Sequence, residues 1–288
     1  MLVVIGTIPD PEAPLLDAPL QWDGDTVKAG GVPLPPDRGT PALLGAAAMA
    51  CRHLGLDLPH AMLVGDEGLG AGSRKLYAHL ETVLPGRDYS TLAFHYLQPD
   101  VDWHNKVLLA AQAMECAPRI VADAGFMYAA KMSGEAEAYD LFTPDAGELA
   151  FLADETAPHP FYTRGFILQD ENNVEELICR AYEHGNAATC LLIKGQTDRV
   201  ADRTGVLSTV SEPSENAMEA MGGTGDTITG MACALIEYGL PVPEAARIAA
   251  QANRFAGELA RPNPGSQIGE LLPHLPAALT RAMEGLSS

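Results

Sequence analysis

The segment Met221–Met231 holds the residues of this sequence that are best suited to chemistry. It reads Met-Gly-Gly-Thr-Gly-Asp-Thr-Ile-Thr-Gly-Met, and an apolar helix is predicted from Thr227 to about Tyr238. A glycine-rich turn at a helix start leaves backbone N–H groups without partners, and with the helix dipole these groups bind anions such as phosphate. The predicted anion hole consists of Gly223, Thr224 and Gly225.

A carboxylate in such a turn would repel phosphate, so Asp226 needs a role of its own. It fits a catalytic base that removes a proton from a substrate hydroxyl while the N–H groups hold the developing negative charge. The alternative is an ordinary helix N-cap, in which Thr224 or Asp226 caps the helix and the glycines only form the turn.

The composition limits the classes of partner. The chain has 288 residues, with 38 acidic and 18 basic side chains and a net charge of −20. This charge argues against nucleic acid and anionic membranes as partners. We find no apolar run long enough to span a bilayer, and the first residues are typical of a strand rather than a signal peptide. Five dispersed cysteines without a Cys-x-x-Cys pair suggest buried thiols in the cytoplasm.

Strands and helices are predicted to alternate along the chain. Strands are predicted at residues 2–6, 61–65, 90–96, 119–123 and 189–195, of which 2–6 and 119–123 are expected to be buried. Residues 140–149 are predicted to form a strand, a turn and the start of a helix. Helices are predicted at residues 43–54, 104–115, 172–185, 227–238, 243–260 and 268–283. A further helix is predicted from the segment 66–75 to about residue 84. Hairpins or loops are predicted at residues 7–41 and 198–220, and a loop or flap at 154–171. This alternation predicts one α/β domain over residues 1–288, with a mostly parallel central sheet and helices on both faces.

Two charged residues end predicted strands. Ligands bind at the carboxyl ends of strands in open parallel sheets, so Asp123 is well placed to contact a substrate. Lys194 closes the apolar strand 189–195 and is a candidate for the nucleotide phosphates; alternatively, it only reaches solvent from the strand end.

Two further segments have competing interpretations. The glycines of Asp66–Lys75 either cradle a phosphate or form a plain strand–helix loop; they match neither Gly-x-Gly-x-x-Gly nor the P-loop. Asp100, Asp102 and His104 would share one side of an extended segment, as metal ligands do, or they belong to a solvated acidic loop.

Several motifs together resemble one family. Gly222–Met231 resembles the Gly-x-Gly-Asp signature of the ribokinase-like superfamily, and its doubled glycine looks most like the ADP/ATP-dependent NAD(P)H-hydrate dehydratases. Val121–Gly125 resembles that family's Asp-Ala-Asp-Ala motif without its first Asp. Thr143–Glu148 resembles its Thr-Pro-His-Pro-Gly-Glu motif, with Asp145 in place of the His.

The resemblance implies a three-layer α/β/α ribokinase-like fold that binds ADP or ATP, with Mg²⁺. The segment Lys194–Asp198 resembles the family's Lys-Gly-x-x-Thr nucleotide segment. The residues implied to bind the nucleotide are Lys194, Gly195, Gln196, Thr197, Asp198 and Gly225. Asp226 is the implied catalytic base, and Asp123, Asp145 and Asp226 are implied to face the substrate. We expect no residue set dedicated to a protein-bound metal.

Three functions stay open at this point. The first is an NAD(P)H-hydrate dehydratase, which phosphorylates a hydroxyl and eliminates phosphate. The second is a kinase of the same fold acting on a small alcohol such as a sugar or vitamin precursor. The third is a nucleotide-binding protein without catalysis. We expect a small-molecule substrate, a homo-oligomer and a cytoplasmic location. Because Asp145 replaces the His, we also expect weakened or altered handling of the hydrate, with Asp145 facing a hydroxyl, an amine or Mg²⁺; alternatively, it only caps the next helix.

Overall fold

A continuous β-sheet forms the centre of the molecule. The computed structural model describes residues 1–23, 26–156 and 173–284. Within these residues the sheet has eleven strands, and helices pack on both of its faces. The flap predicted at 154–171 falls, apart from its first three residues, outside the described residues.

The strands and helices follow the predicted alternation. The strands are β1 (Leu2–Ile8), β2 (Leu16–Asp23), β3 (Thr26–Ala29), β4 (Val32–Pro33), β5 (His60–Gly65), β6 (Thr91–His95), β7 (Arg119–Asp123), β8 (Leu141–Phe142), β9 (Cys190–Ile193), β10 (Asp198–Asp202) and β11 (Gly205–Val210). The helices are α1 (Thr40–His53), α2 (Ala71–Val83), α3 (Val101–Gln112), α4 (Gly125–Ser133), α5 (Ala146–Ala153), α6 (Val174–Glu183), α7 (Thr224–Glu237), α8 (Val242–Ala260), α9 (Ile268–Leu271) and α10 (Leu275–Met283).

The strand order places the parallel strands in the middle of the sheet. The order is β11-β10-β9-β8-β7-β6-β1-β5-β2-β3-β4. Strands β9, β8, β7, β6, β1 and β5 pair in parallel, so their carboxyl ends share one edge. Antiparallel strands flank them: β2 to β4 on one side, and the hairpin of β10 and β11 on the other. The hairpins predicted in 7–41 and 198–220 are confirmed.

The side chains of β1 show how one strand supplies two cores. Leu2 and Val4 point into one core, while Val3 and Ile5 point into the other, as the two-residue period of a strand requires. Helices α1, α7, α8 and α10 cover the first face, and α2 to α6 cover the second. The predicted three-layer α/β/α architecture is therefore confirmed.

Four helices differ from their predicted limits: α1, α3 and α7 each begin three residues before the predicted start, and the helix predicted at 268–283 is divided in two; helix α4 was not predicted. Helix α3 begins at Val101, because the Asp100 carboxylate accepts the N–H of Trp103 and caps it. The helix predicted at 268–283 divides into α9 and α10 around a 3₁₀ turn containing Pro273, which has no N–H to donate. No helix in the described ranges is long and apolar enough to cross a membrane.

Candidate active site

The carboxyl ends of neighbouring parallel strands bring the charged residues together. His95 ends β6 and pairs in register with Asp123 at the end of β7. Beyond β8 and β9, Asp145 and Lys194 form a further parallel bridge. A cavity of about 230 Å³ opens here. Its lining residues are His95, Tyr96, Asp123, Ala124, Asp145, Glu148, Lys194, Gly223, Gly225 and Asp226.

Helix α7 presents an open N-terminus to this cavity. The helix begins at Thr224 after Gly223, whose φ of 100° is a left-handed conformation, and no described side chain caps it. A Cβ on Gly223 would lie 3.3 Å from Ala42, Arg38 and Ile268, so the turn requires glycine both for conformation and for space. Since neither Thr224 nor Asp226 caps the helix, the N-cap alternative is wrong, and the first N–H groups remain available to an anion.

The Asp226 carboxylate is held by two donors from other parts of the chain. One oxygen accepts the backbone N–H of Gly39 at 2.7 Å, and the other lies 3.0 Å from Nε2 of His95. Nδ1 of the same imidazole lies 2.9 Å from the Thr40 hydroxyl. Burial by itself would raise the pKa of Asp226, but the hydrogen bond and charge of His95, with Lys194, lower it below its usual value. The carboxylate is therefore ionised and fixed in position.

Lys194 forms a buried ion pair with Asp123 beside the glycine-rich turn that precedes α7. Its Nζ lies 2.8 and 3.0 Å from the two oxygens of Asp123, which is 2 % exposed. Thr229 of α7 also donates to Asp123, at 2.7 Å. Burial opposes the charged form of Lys194, but the Asp123 and Glu148 carboxylates outweigh it and raise the lysine pKa above its usual value. The alternative of a lysine that only reaches solvent is wrong.

Asp145 and Glu148 form the reciprocal capping box of α5. The Asp145 carboxylate accepts the N–H of Glu148 at 2.8 Å, and the Glu148 carboxylate accepts the N–H of Asp145 at 2.8 Å. Tyr128 donates to the other Glu148 oxygen at 2.9 Å. Burial and the nearby Asp123 charge raise the pKa of Glu148 to about 7. Asp145 therefore does cap a helix, as the alternative stated, while it also lines the cavity.

The segment Gly195–Asp198 does not line the cavity but forms a braced loop beside it. Asp198 is buried, and its carboxylate accepts the Gly195 N–H at 3.0 Å and Nε of Arg254 at 2.9 Å. Arg254 also donates to the carbonyls of Gly195 and Gln196. Asp198 therefore shapes this loop through internal bonds. The nucleotide contacts implied for Gly195, Gln196, Thr197 and Asp198 stay predictions.

Two other candidate segments have local structural roles. The Asp66 carboxylate accepts the N–H groups of Gly68, Leu69, Gly70 and Ser73. It thus occupies the place a phosphate would take, and the segment is a plain strand–helix loop. Asp100 caps α3, whereas His104 is fully buried and bonded to the Tyr139 hydroxyl, so an extended metal site at Asp100, Asp102 and His104 is wrong.

The family can now be assigned from a comparison with known proteins. Residues 98–281 match the model of the carbohydrate-kinase-like family described as NAD(P)H-hydrate dehydratase. This chain belongs to that family. The matched segment includes Asp123, Asp145, Lys194 and Asp226, and therefore most of the cavity described above.

Two curated relatives are similar to this chain. An uncharacterized protein of Methanocaldococcus jannaschii is 36 % identical over 243 residues, which are 84 % of this chain and 100 % of the relative. An ADP-dependent (S)-NAD(P)H-hydrate dehydratase of Cenarchaeum symbiosum is 33 % identical over 173 residues. The second alignment covers 58 % of this chain and 55 % of the relative, so the chain spans about half the length of that enzyme.

A solved structure supports the fold. A ribokinase-like superfamily protein of Enterococcus faecalis has a TM-score of 0.56 with this chain, at 14 % identity. The similarity covers 98 % of this chain and 87 % of the other. The predicted ribokinase-like fold is therefore confirmed.

The residues that hold the predicted base were not identified as site residues from the sequence. His95, Gly39 and Thr40 were not among the predicted site residues, nor was Arg254, which braces the Gly195–Asp198 loop. His95 ends a buried parallel strand, just as Asp123 does, and this position was a sufficient signal for a place in the site. Nothing in the local sequence indicates the roles of Gly39 or Arg254.

Proposed function

We propose that this protein is an ADP- or ATP-dependent NAD(P)H-hydrate dehydratase, which repairs hydrated nicotinamide nucleotides. The family assignment supports this function, as does the name of the Cenarchaeum symbiosum relative. The observation that carries the proposal is an ionised carboxylate, Asp226, fixed at the uncapped N-terminus of a helix and facing a cavity. This arrangement suits proton removal next to a developing phosphoryl anion.

The first step is phosphoryl transfer to the hydroxyl of the hydrated nicotinamide ring. Asp226 accepts the hydroxyl proton while the hydroxyl oxygen attacks the terminal phosphorus of the nucleotide, and the bond from phosphorus to the nucleotide breaks. The N–H groups of Gly223, Thr224, Gly225 and Asp226 stabilise the negative charge on the transferring group. Lys194, whose Cδ would lie 3.4 Å from a Cβ on Gly225, adds positive charge at the same turn.

The second step is elimination of the phosphate. The carbon–oxygen bond breaks and its electron pair leaves with the phosphate, which is a far better leaving group than hydroxide. The adjacent ring carbon loses a proton to solvent, and the electrons of its carbon–hydrogen bond form the restored double bond. The product is NADH or NADPH, with one inorganic phosphate. A kinase of this fold would stop at the phosphate ester.

The carboxylates of the cavity fit a magnesium ion. Asp123 forms an ion pair with Lys194, and Asp226 is held by His95 and Gly39. Among the described residues, the direct partners of Asp145 and Glu148 are hydrogen-bond donors and not cations. Burial first, and then the charges of Asp123 and Asp145, raise the pKa of Glu148, so a cation beside it would favour its ionised form. Asp145 and Glu148 would therefore hold Mg²⁺. When bound, it would reduce the repulsion between these carboxylates and the nucleotide phosphates.

A second possible cation site involves groups that are already engaged. Nε2 of His95 and single oxygens of Asp123 and Asp226 lie within 4.8 Å of one another. The two carboxylates also bind Lys194, Thr229 and Gly39, so an ion at this position would have to displace internal bonds. We therefore favour Asp145 and Glu148 as the residues that would hold Mg²⁺.

Three further features belong to this proposal. We propose that residues 1–288 form one domain, that the protein assembles as a homo-oligomer, and that it acts in the cytoplasm.

Asp145 in place of the family's His leads us to propose weaker or altered handling of the hydrate, because an ionised carboxylate donates no hydrogen bond to a pyrophosphate.

The direct test follows NADH recovery from its hydrate by absorbance, with ADP or ATP as phosphoryl donor. Recovery that depends on the nucleotide supports the proposal. A matched assay offers hydroxyethylthiazole and pyridoxal with ATP, to detect a phosphate ester. Ester formation from these alcohols, without NADH recovery, would favour the kinase instead. Comparison of wild type with Asp145→His measures the effect of the departure from the family motif.

A further inference from the structure

Tyr96 is a large aromatic residue held in an unfavourable backbone conformation at the mouth of the cavity. It directly follows β6, and its φ of 54° lies in the left-handed region, which is uncommon for bulky residues. The Thr7 hydroxyl donates to the Tyr96 carbonyl at 2.7 Å and helps to fix this conformation. Strained residues of this kind persist where the surrounding structure supports them, often at ligand sites.

The ring of Tyr96 is packed on one side and half exposed. Its edge-on contact with His95 has a centroid distance of 4.3 Å and an interplanar angle of 76°. A Cβ on Gly39 would lie 3.5 Å from the ring. Yet 50 % of the residue is exposed, while it lines the cavity beside Asp226. A conformation that costs energy thus leaves apolar surface open, which folding alone does not explain.

The position of the ring identifies the part of the substrate that it meets. His95 touches Tyr96 and also holds Asp226, so the ring lies one side chain away from the predicted base. The group that carries the reacting hydroxyl must therefore lie near Tyr96. The nucleotide is expected on the other side, near Lys194 and the Gly195–Asp198 loop.

We propose that Tyr96 stacks on the hydrated nicotinamide ring and holds its hydroxyl against Asp226. This inference rests on the dehydratase function proposed above. The conjugated part of the hydrated ring and its carboxamide are flat enough to lie on an aromatic face. Burial and the Asp226 charge raise the pKa of Tyr96 to about 12, so the phenol stays neutral and adds no charge beside the base.

The test compares wild type with Tyr96→Phe, Tyr96→Ala and Tyr96→Gly, and uses Tyr238→Ala as the control. Tyr238 is similarly exposed, at 47 %, but lies at the far end of α7. The ligands are NADH hydrate, the hydrate of reduced nicotinamide mononucleotide, and ADP. We expect Tyr96→Phe to keep the wild-type affinities. Tyr96→Ala and Tyr96→Gly should bind both hydrates about tenfold more weakly and should bind ADP with unchanged affinity. Tyr238→Ala should change none of these affinities.

Thermal unfolding of the same variants tests the strain. Replacing Ala by Gly usually lowers stability, but at a residue with a left-handed backbone Gly is the more stable of the two. Tyr96→Gly should therefore have a higher melting temperature than Tyr96→Ala. Unchanged hydrate affinity in both variants, with normal wild-type repair, would overturn the role of Tyr96 alone. A loss of ADP affinity equal to that of the hydrates would assign the ring to the nucleotide and also overturn it. A wild type that does not repair the hydrate would overturn the dehydratase function and this inference together.

Discussion

Replacing His95 should change the pH at which Asp226 can act as a base. The Nε2 of His95 lies 3.0 Å from one Asp226 oxygen, and this contact is a main reason why the pKa of Asp226 is lowered despite burial. A base must be ionised, so activity falls when the pH drops through the Asp226 pKa. Without the imidazole, burial raises that pKa and the acid limb of the pH–rate profile moves to higher pH.

The size of the shift follows from the hydrogen bond that is lost. A hydrogen bond to a charged group contributes about 1.5–3 kcal/mol. Since 1.36 kcal/mol corresponds to one pKa unit, His95→Leu should move the acid limb up by about one to two units. His95→Gln can still donate from its side-chain amide, so it should shift the limb less. Lys194 and the Gly39 N–H remain in both variants and keep the pKa from rising further.

The assay is the dependence of kcat/KM on pH, because this quantity reports ionisations of the free enzyme. Thr40→Val serves as a comparison variant. It removes only the hydroxyl that bonds Nδ1 of His95, on the side of the imidazole away from Asp226. It should lower activity less than His95→Leu. If folded His95→Leu kept the wild-type acid limb, His95 would not set the pKa of Asp226, and our reasoning on this contact would be refuted.

Three further changes test the surroundings of the base. Lys194→Ala should weaken the binding of ADP and of ATP together, as measured by calorimetry. It should also lower the free energy of unfolding in urea by about 3–5 kcal/mol, because buried Asp123 loses its partner. Adding Asp123→Asn to this variant should restore part of the stability, and no recovery would contradict the ion-pair argument. Glu148→Gln removes a carboxyl whose pKa is raised to about 7. The folded wild type binds the Glu148 proton more tightly than the unfolded chain does, so the stability of the wild type falls as the pH rises from about 4 to 7. The variant lacks this carboxyl, so its melting temperature should fall less over the same pH range. Gly223→Ala should weaken nucleotide binding, since its φ is 100° and its Cβ would crowd three neighbours, whereas Gly222→Ala meets only ordinary contacts and should bind normally. Equal effects of the two alanines would show that the turn does not need its left-handed glycine.

The sequence predicted those features that depend on short stretches of chain. The alternation of apolar strands with helices was enough for the three-layer fold, because each strand and helix carries its own period. Asp123 and Lys194 could be placed because both end apolar strands, and parallel strands share one carboxyl edge. The glycine-rich turn at the start of α7 could be predicted because Gly223 and the helix that follows it are adjacent in sequence.

The partners of Asp226 could not be predicted, because they come from distant parts of the chain. Gly39 is 187 residues away and His95 is 131 residues away. Neither the pairing of strands nor the approach of α1 to α7 can be read from local patterns. The same limit applies to Asp198. Its motif suggested a nucleotide contact, but its carboxylate bonds to Gly195 and to Arg254 from α8.

The most direct test of the account follows the hydroxyl oxygen of the substrate. NADH hydrate carrying ¹⁸O in its ring hydroxyl would be repaired by the enzyme with ADP or ATP, and the released phosphate analysed by mass spectrometry. Attack of that oxygen on phosphorus, followed by cleavage of its bond to carbon, predicts one ¹⁸O in each inorganic phosphate. Asp226→Asn should lower the rate by about 10²-fold or more, while nucleotide still binds to the backbone N–H groups. Label recovered in water instead of phosphate, or near-normal turnover by Asp226→Asn, would contradict the mechanism.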